Sequence, residues 1–70
     1  MLIKLTGNKT GAPVLVDADA IIIAEELTDI YQNDKPYTRI SLHTSANVYQ
    51  IGVEESVDEI LEEIEGRAEL

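Results

Sequence analysis

Side chains alternate without a break over residues 37–44, with Thr38, Ile40 and Leu42 on one face and Tyr37, Arg39, Ser41 and His43 on the other. A period of two is the mark of a strand with one face buried. Leu2-Ile3-Lys4-Leu5-Thr6 predicts a first strand, and Pro13-Val14-Leu15-Val16-Asp17 a returning one. Between them Gly7-Asn8-Lys9-Thr10-Gly11 reads as a turn, because Gly and Asn tolerate positive φ. Pro13 has no amide donor, so it belongs at the start of its strand or on a sheet edge. The apolar run of residues 20–24, followed by Glu25, Glu26 and Leu27, fits a buried strand or a short helix by periodicity alone; three consecutive isoleucines favour the strand. Residues 28–36 carry Asp29, Asn33, Asp34, Lys35 and Pro36 and predict a mobile, exposed loop. Ser45-Ala46-Asn47 predicts a hairpin loop with Asn47 in the left-handed region, after which Val48–Val53 returns with Tyr49, Ile51 and Val53 on one face.

The final element changes period. Ser56-Val57-Asp58-Glu59 is a capping box, in which the serine hydroxyl and the Glu59 carboxylate each take the other's backbone amide. Val57, Ile60, Leu61 and Ile64 follow at spacings of three and four, giving a helix over about residues 56–66 with Gly66 at its end. The whole chain, residues 1–70, thus reads as a single β-rich domain. Its class is α+β, a small antiparallel sheet or curled half-barrel of four to five strands with one C-terminal amphipathic helix.

Composition narrows the function classes. The chain has 70 residues, 44% of them hydrophobic, and nine Ile and five Val accompany seven Leu, which suits a pleated, half-buried surface. A core this small leaves stability marginal, so extra burial through a homo-oligomer is expected. Cysteine is absent, which removes disulfides and thiolate chemistry. No apolar stretch approaches the length of a membrane span and no signal-peptide pattern opens the chain, so the expectation is a soluble, cytoplasmic protein without membrane insertion.

Charge adds a further exclusion. The formal net charge is −9, and eight of the 14 acids fall in residues 54–70, where Arg67 is the one base. Such a balance repels phosphate backbones, so direct nucleic-acid binding is not expected. Asp58, Glu59, Glu62 and Glu63 point away from the apolar stripe of the helix. That face is either a solvated surface or a mimic of nucleic-acid phosphates that occupies the basic groove of a DNA- or RNA-binding protein.

Candidate chemistry is sparse. Asp17 with Asp19, and Glu25 with Glu26, are carboxylate pairs, but general acid–base work needs a dry cleft that this architecture does not suggest. The aspartates read instead as turn and capping residues. His43 is a lone histidine without converging ligands, and the four scattered glycines form no phosphate-binding loop. Catalytic, metal and cofactor sites are therefore not expected. Tyr31 and Tyr37 flank the Asp34-Lys35-Pro36 turn, where they serve as covers over a small core or as anchors for a protein partner.

Leu5-Thr6, Gly11, Pro13-Val14-Leu15-Val16, Ala18-Asp19, Ile21, Glu25-Glu26, Thr38-Arg39-Ile40-Ser41-Leu42, Val48 and Glu55-Ser56-Val57-Asp58-Glu59-Ile60 together resemble the small FlbD-type proteins. These are short chains of flagellar gene clusters, with look-alikes of unknown function in phage and bacterial genomes. The resemblance implies a non-enzymatic accessory role in a flagellar or phage-related assembly, and it carries over no catalytic residue.

Overall fold

The computed structural model describes residues 1–68, with side chains through residue 66. Strands β1 (Leu2–Thr6) and β2 (Pro13–Asp17) form an antiparallel hairpin in which Ile3 faces Val16 and Leu5 faces Val14. Strands β3 (Ile21–Asp29), β4 (Lys35–His43) and β5 (Val48–Val53) form an antiparallel meander with β4 at its centre. Helix α1 (Val57–Ala68) follows. The fold is thus a small α+β structure, and its five strands are divided between two sheets. A single bridge between Gly7 and Val53 ties the sheets at one corner.

Alternation decides what each sheet buries. Ile3 and Leu5 of β1, Val16 of β2, Ile40 of β4 and Val53 of β5 meet Ile60 of α1 in one core, with Ala24, Leu42, Ile51 and Ile64 packed around it. Each large side chain buried there contributes roughly 1.5 to 3 kcal/mol. Among the described residues six such side chains make a small core, and ten large apolar ones stay at least 42% exposed. The odd-numbered positions of β4, Tyr37, Arg39 and Ser41, lie on the opposite, outer face of the three-stranded sheet.

The polar joint between sheets and helix is fully satisfied. The Glu55 carboxylate accepts from the Thr6 amide at 2.8 Å and the Thr6 hydroxyl at 2.9 Å, while the buried Thr38 hydroxyl donates to the Glu55 carbonyl at 2.6 Å. Glu26 of β3 accepts from the Val57 amide at 3.0 Å, supplying a partner for one of the free N–H groups at the start of α1. The capping box forms as the spacing predicts, with Ser56 Oγ accepting from the Glu59 amide at 3.1 Å and Glu59 Oε1 from the Ser56 amide at 3.0 Å.

Three local expectations are corrected. Residues 28–36 are not an open loop: β3 runs to Asp29, a 3₁₀ turn covers Ile30–Gln32, and β4 begins at Lys35. The Asp29 carboxylate fixes that turn by accepting from the Tyr31 amide at 2.9 Å, and Asn33 and Asp34 reverse the chain in the left-handed region, at φ 56° and 55°. Gly66 does not end the helix, which continues to Ala68, since an interior glycine costs only about 1 kcal/mol relative to alanine. Asn47 stays out of the left-handed region; the Thr44 hydroxyl closes that loop by accepting from the Asn47 amide at 3.1 Å. The first turn forms as expected, with Gly11 at φ 71° taking the positive φ.

Candidate interaction surfaces

The 3₁₀ turn at the tip of the β3–β4 hairpin lifts Ile30 and Tyr31 away from the sheet, and they are 71% and 91% exposed. Neither covers the core. Beside them a cleft of about 660 Å³ opens on the outer sheet face, walled by Tyr31 and Tyr37 and lined by Lys9, Arg39 and Gln50. Two of the predicted residues, Tyr31 and Tyr37, are thus brought to one site. Its floor depends on Gly52, where a Cβ would collide with the Asn8 carboxamide and approach the Tyr37 ring to 3.3 Å.

Arg39 is set across the sheet by Glu25, its register partner on β3. Its Nε donates to Glu25 Oε1 at 3.1 Å and its Nη2 donates to the same oxygen at 2.6 Å. Hydrogen bonding to that carboxylate, and then its charge, push the guanidinium further above its ordinary value. Arg39 therefore stays cationic. Its remaining N–H groups are the polar feature that a ligand in the cleft would meet.

The other predicted residues lie on α1, which packs on the inner side of the sheet, away from the cleft. The four acids are not equivalent. Glu59 holds the Ser56 amide and Glu63 is half-buried and engaged, whereas Asp58 and Glu62 are exposed. Leu61, placed in the apolar stripe by its spacing, is 50% exposed. Asp58 lies three residues before it and Glu65 four after, and Glu62 is its neighbour in sequence. Glu65 and Leu61 belong to this face, which helical spacing alone does not reveal, because it places Leu61 in the inward stripe.

Asp17 caps the first 3₁₀ turn, as its spacing implies, and Asp19 lies within that turn. Asp17 Oδ1 accepts from the Asp19 amide at 3.0 Å, and Asp19 Oδ2 lies 2.9 Å from the Met1 ammonium. The Asp19 amide, and after it the ammonium, hold the Asp17 carboxyl below its ordinary value. His43 ends β4, exposed. Among the described residues no group of three or more His, Asp or Glu converges as metal ligands would, and no helix is long and apolar enough to cross a membrane.

Fold and surface together define a small α+β protein with an exposed apolar tip and a mixed aromatic and cationic cleft. No protein-family model matches the chain, and no curated protein or solved structure shows significant similarity to it.

Proposed function

We propose that this chain is a non-enzymatic interaction module that associates with further copies of itself and serves an accessory role in a larger protein assembly. The reading rests on the hairpin tip. Ile30 and Tyr31 stay largely exposed and cover none of the core, yet a carboxylate on the Tyr31 amide and two consecutive left-handed residues hold them out. A left-handed conformation is unfavourable for any residue with a Cβ, even for the tolerant Asn and Asp, and such strain concentrates where a surface has a task. Isoleucine and tyrosine held at a fixed angle lose little freedom on binding, which suits an anchor. Self-association answers the small core, since a second copy removes apolar surface from water that one copy leaves exposed. An accessory place in a flagellar or phage-related assembly follows the FlbD-type resemblance.

Sedimentation velocity over a range of concentrations tests this reading on the full chain. The expected result is an average mass that rises with concentration in the wild type and stays monomeric in the double variant Ile30→Ser, Tyr31→Ser. A wild type that remains a monomer throughout overturns self-association.

A further inference from the structure

We infer that two copies of this chain pair edge to edge through β5, antiparallel about a twofold axis at Tyr49, so that their three-stranded sheets become one. The inference rests on the self-association proposed above and names the surface that meets its copy.

Strand β5 is the edge of its sheet, and beyond the Gly7–Val53 bridge no strand among the described residues lies beside it. The Gly52 carbonyl points away from β4, where it accepts from the Asn8 amide at 3.1 Å. Backbone groups repeat their direction every second residue, so the N–H and C=O of Gln50 and Val48 point the same way. Residues 48–50 are exposed. The strand therefore offers a row of unpaired donors and acceptors, the template onto which a further strand adds.

Charge selects the occupant. Residues 40–53 carry no Asp, Glu, Lys or Arg, the longest such run in a chain of net charge −9. About a twofold axis each edge residue meets its own kind or a near neighbour, so a charged edge would repel its copy. The other edges carry guards. Strand β3 holds Glu25, Glu26 and Asp29 and a register shift between Ile21 and Ile23, β2 begins at Pro13 and ends at Asp17, and β1 carries Lys4 and lies against α1. Among the described strands β5 alone has neither charge, proline nor bulge. A second β5 is thus the strand that meets this edge without repulsion.

The register follows from what is already paired. With Gln50 at the axis, Val48 would face Gly52, whose carbonyl Asn8 holds. With Tyr49 at the axis, Val48 faces Gln50, and the two exchange both backbone bonds. The two Tyr49 rings then stand side by side at an apolar groove of about 440 Å³ lined by Val14, Leu15, Leu42 and Ile51. The same register carries the uncharged loop Ser45-Ala46-Asn47 of the second copy toward Gly52, at the rim of the cleft that Tyr31 walls. Strand edge and hairpin tip thus serve one contact, which closes at the dimer.

Disulfide trapping on the full chain, which has no cysteine of its own, tests the axis. Tyr49→Cys sets two thiols directly opposite each other, with Cα atoms roughly 4.5 Å apart. Val48→Cys, on the same exposed edge, meets its copy only diagonally, beyond the ~7 Å that a disulfide spans. Under a mild oxidant Tyr49→Cys should form the covalent dimer at least about tenfold faster than Val48→Cys. Sedimentation velocity reads the second arm, in which Tyr49→Lys should associate about tenfold or more weakly than the wild type. That variant lowers the net negative charge, so relief of general repulsion alone would do the opposite. Equal trapping rates, or a Tyr49→Lys variant that associates like the wild type, overturn the inference and leave self-association standing through another surface. A wild type that never associates overturns both. Circular dichroism checks each fold, and Gln50→Pro, which removes an outward N–H and no bond to β4, replaces Tyr49→Lys should that variant misfold.

Discussion

Two 3₁₀ turns in this chain are built by the same device and used in opposite ways. In each, an aspartate ending a strand accepts from the amide two residues on: Asp17 from Asp19, and Asp29 from Tyr31. Ala18-Asp19-Ala20 then carries the chain from one sheet to the other, with Ala18 packed against the core. Ile30-Tyr31-Gln32 occupies the equivalent positions with two large apolar side chains that point into solvent. Backbone geometry therefore does not demand large residues in such a turn, since alanines suffice at the first. The bulk of Ile30 and Tyr31 is therefore not required by the turn, and a side chain this exposed adds little to folding.

Exchanging the aligned residues breaks or confirms that contrast. Ala18→Ile should destabilise the protein by about 1 to 3 kcal/mol, because the added carbons must fit between packed elements. Ile30→Ala should leave stability within about 0.5 kcal/mol of the wild type, as expected for an exposed side chain. Urea unfolding of both variants measures the difference. Equal losses at the two positions would show that Ile30 supports the fold and would remove the hairpin tip as an anchor.

The comparison also explains what could be read from the residues alone. Strands β1, β2 and β5 and the start of α1 follow from alternation, Pro13 and the Ser56–Glu59 capping box, all of which are short-range signals. The β3–β4 tip is not legible in the same way, because Asp29, Asn33, Asp34 and Pro36 promote turns of any length. What shortens this one is a single carboxylate–amide bond and two left-handed residues, and composition does not report either. Long-range polar contacts were equally hidden. Glu26 and Glu55 look like ordinary surface acids, yet one caps α1 from β3 and the other joins β1 to the segment before the helix. The cleft needs Asn8, Tyr37, Arg39 and Gly52 together, residues up to 44 positions apart; the register of β4 against β5 places three of them on one face, and the Asn8 amide, donating to the Gly52 carbonyl at 3.1 Å, brings the fourth.

Strain at the tip supplies a smaller, oppositely signed effect. Asp34 at φ 55° adopts a conformation that glycine reaches freely, so Asp34→Gly should stabilise the protein by about 0.5 to 1 kcal/mol, after the extra unfolded-state entropy that glycine brings is set against the relief. Thermal unfolding should register it as a rise of a few degrees in Tm. If the tip is a mounted anchor, this variant should associate as the wild type does, because the side chains of Ile30 and Tyr31 are kept. A fall in Tm would mean that the Asp34 side chain holds the turn, and the strain argument would fail with it.

The gentlest probe addresses the first turn through pH. The Asp19 amide and then the Met1 ammonium stabilise the ionised Asp17 carboxylate, which lowers its folded pKa from an ordinary 3.8. A group whose folded pKa is depressed contributes stability that is full above the unfolded value and is lost as pH falls through the folded one. Asp17→Asn keeps an oxygen able to accept from the Asp19 amide and removes only the charge. The variant should therefore be slightly less stable than the wild type at neutral pH, and the gap should close as the solution is acidified below the ordinary carboxylate range. Because Asp17 is solvent-exposed, salt should shrink the gap as well. Paired urea titrations at neutral and acidic pH measure it, and a gap that persists in acid would assign the stabilisation to hydrogen-bond geometry instead of charge.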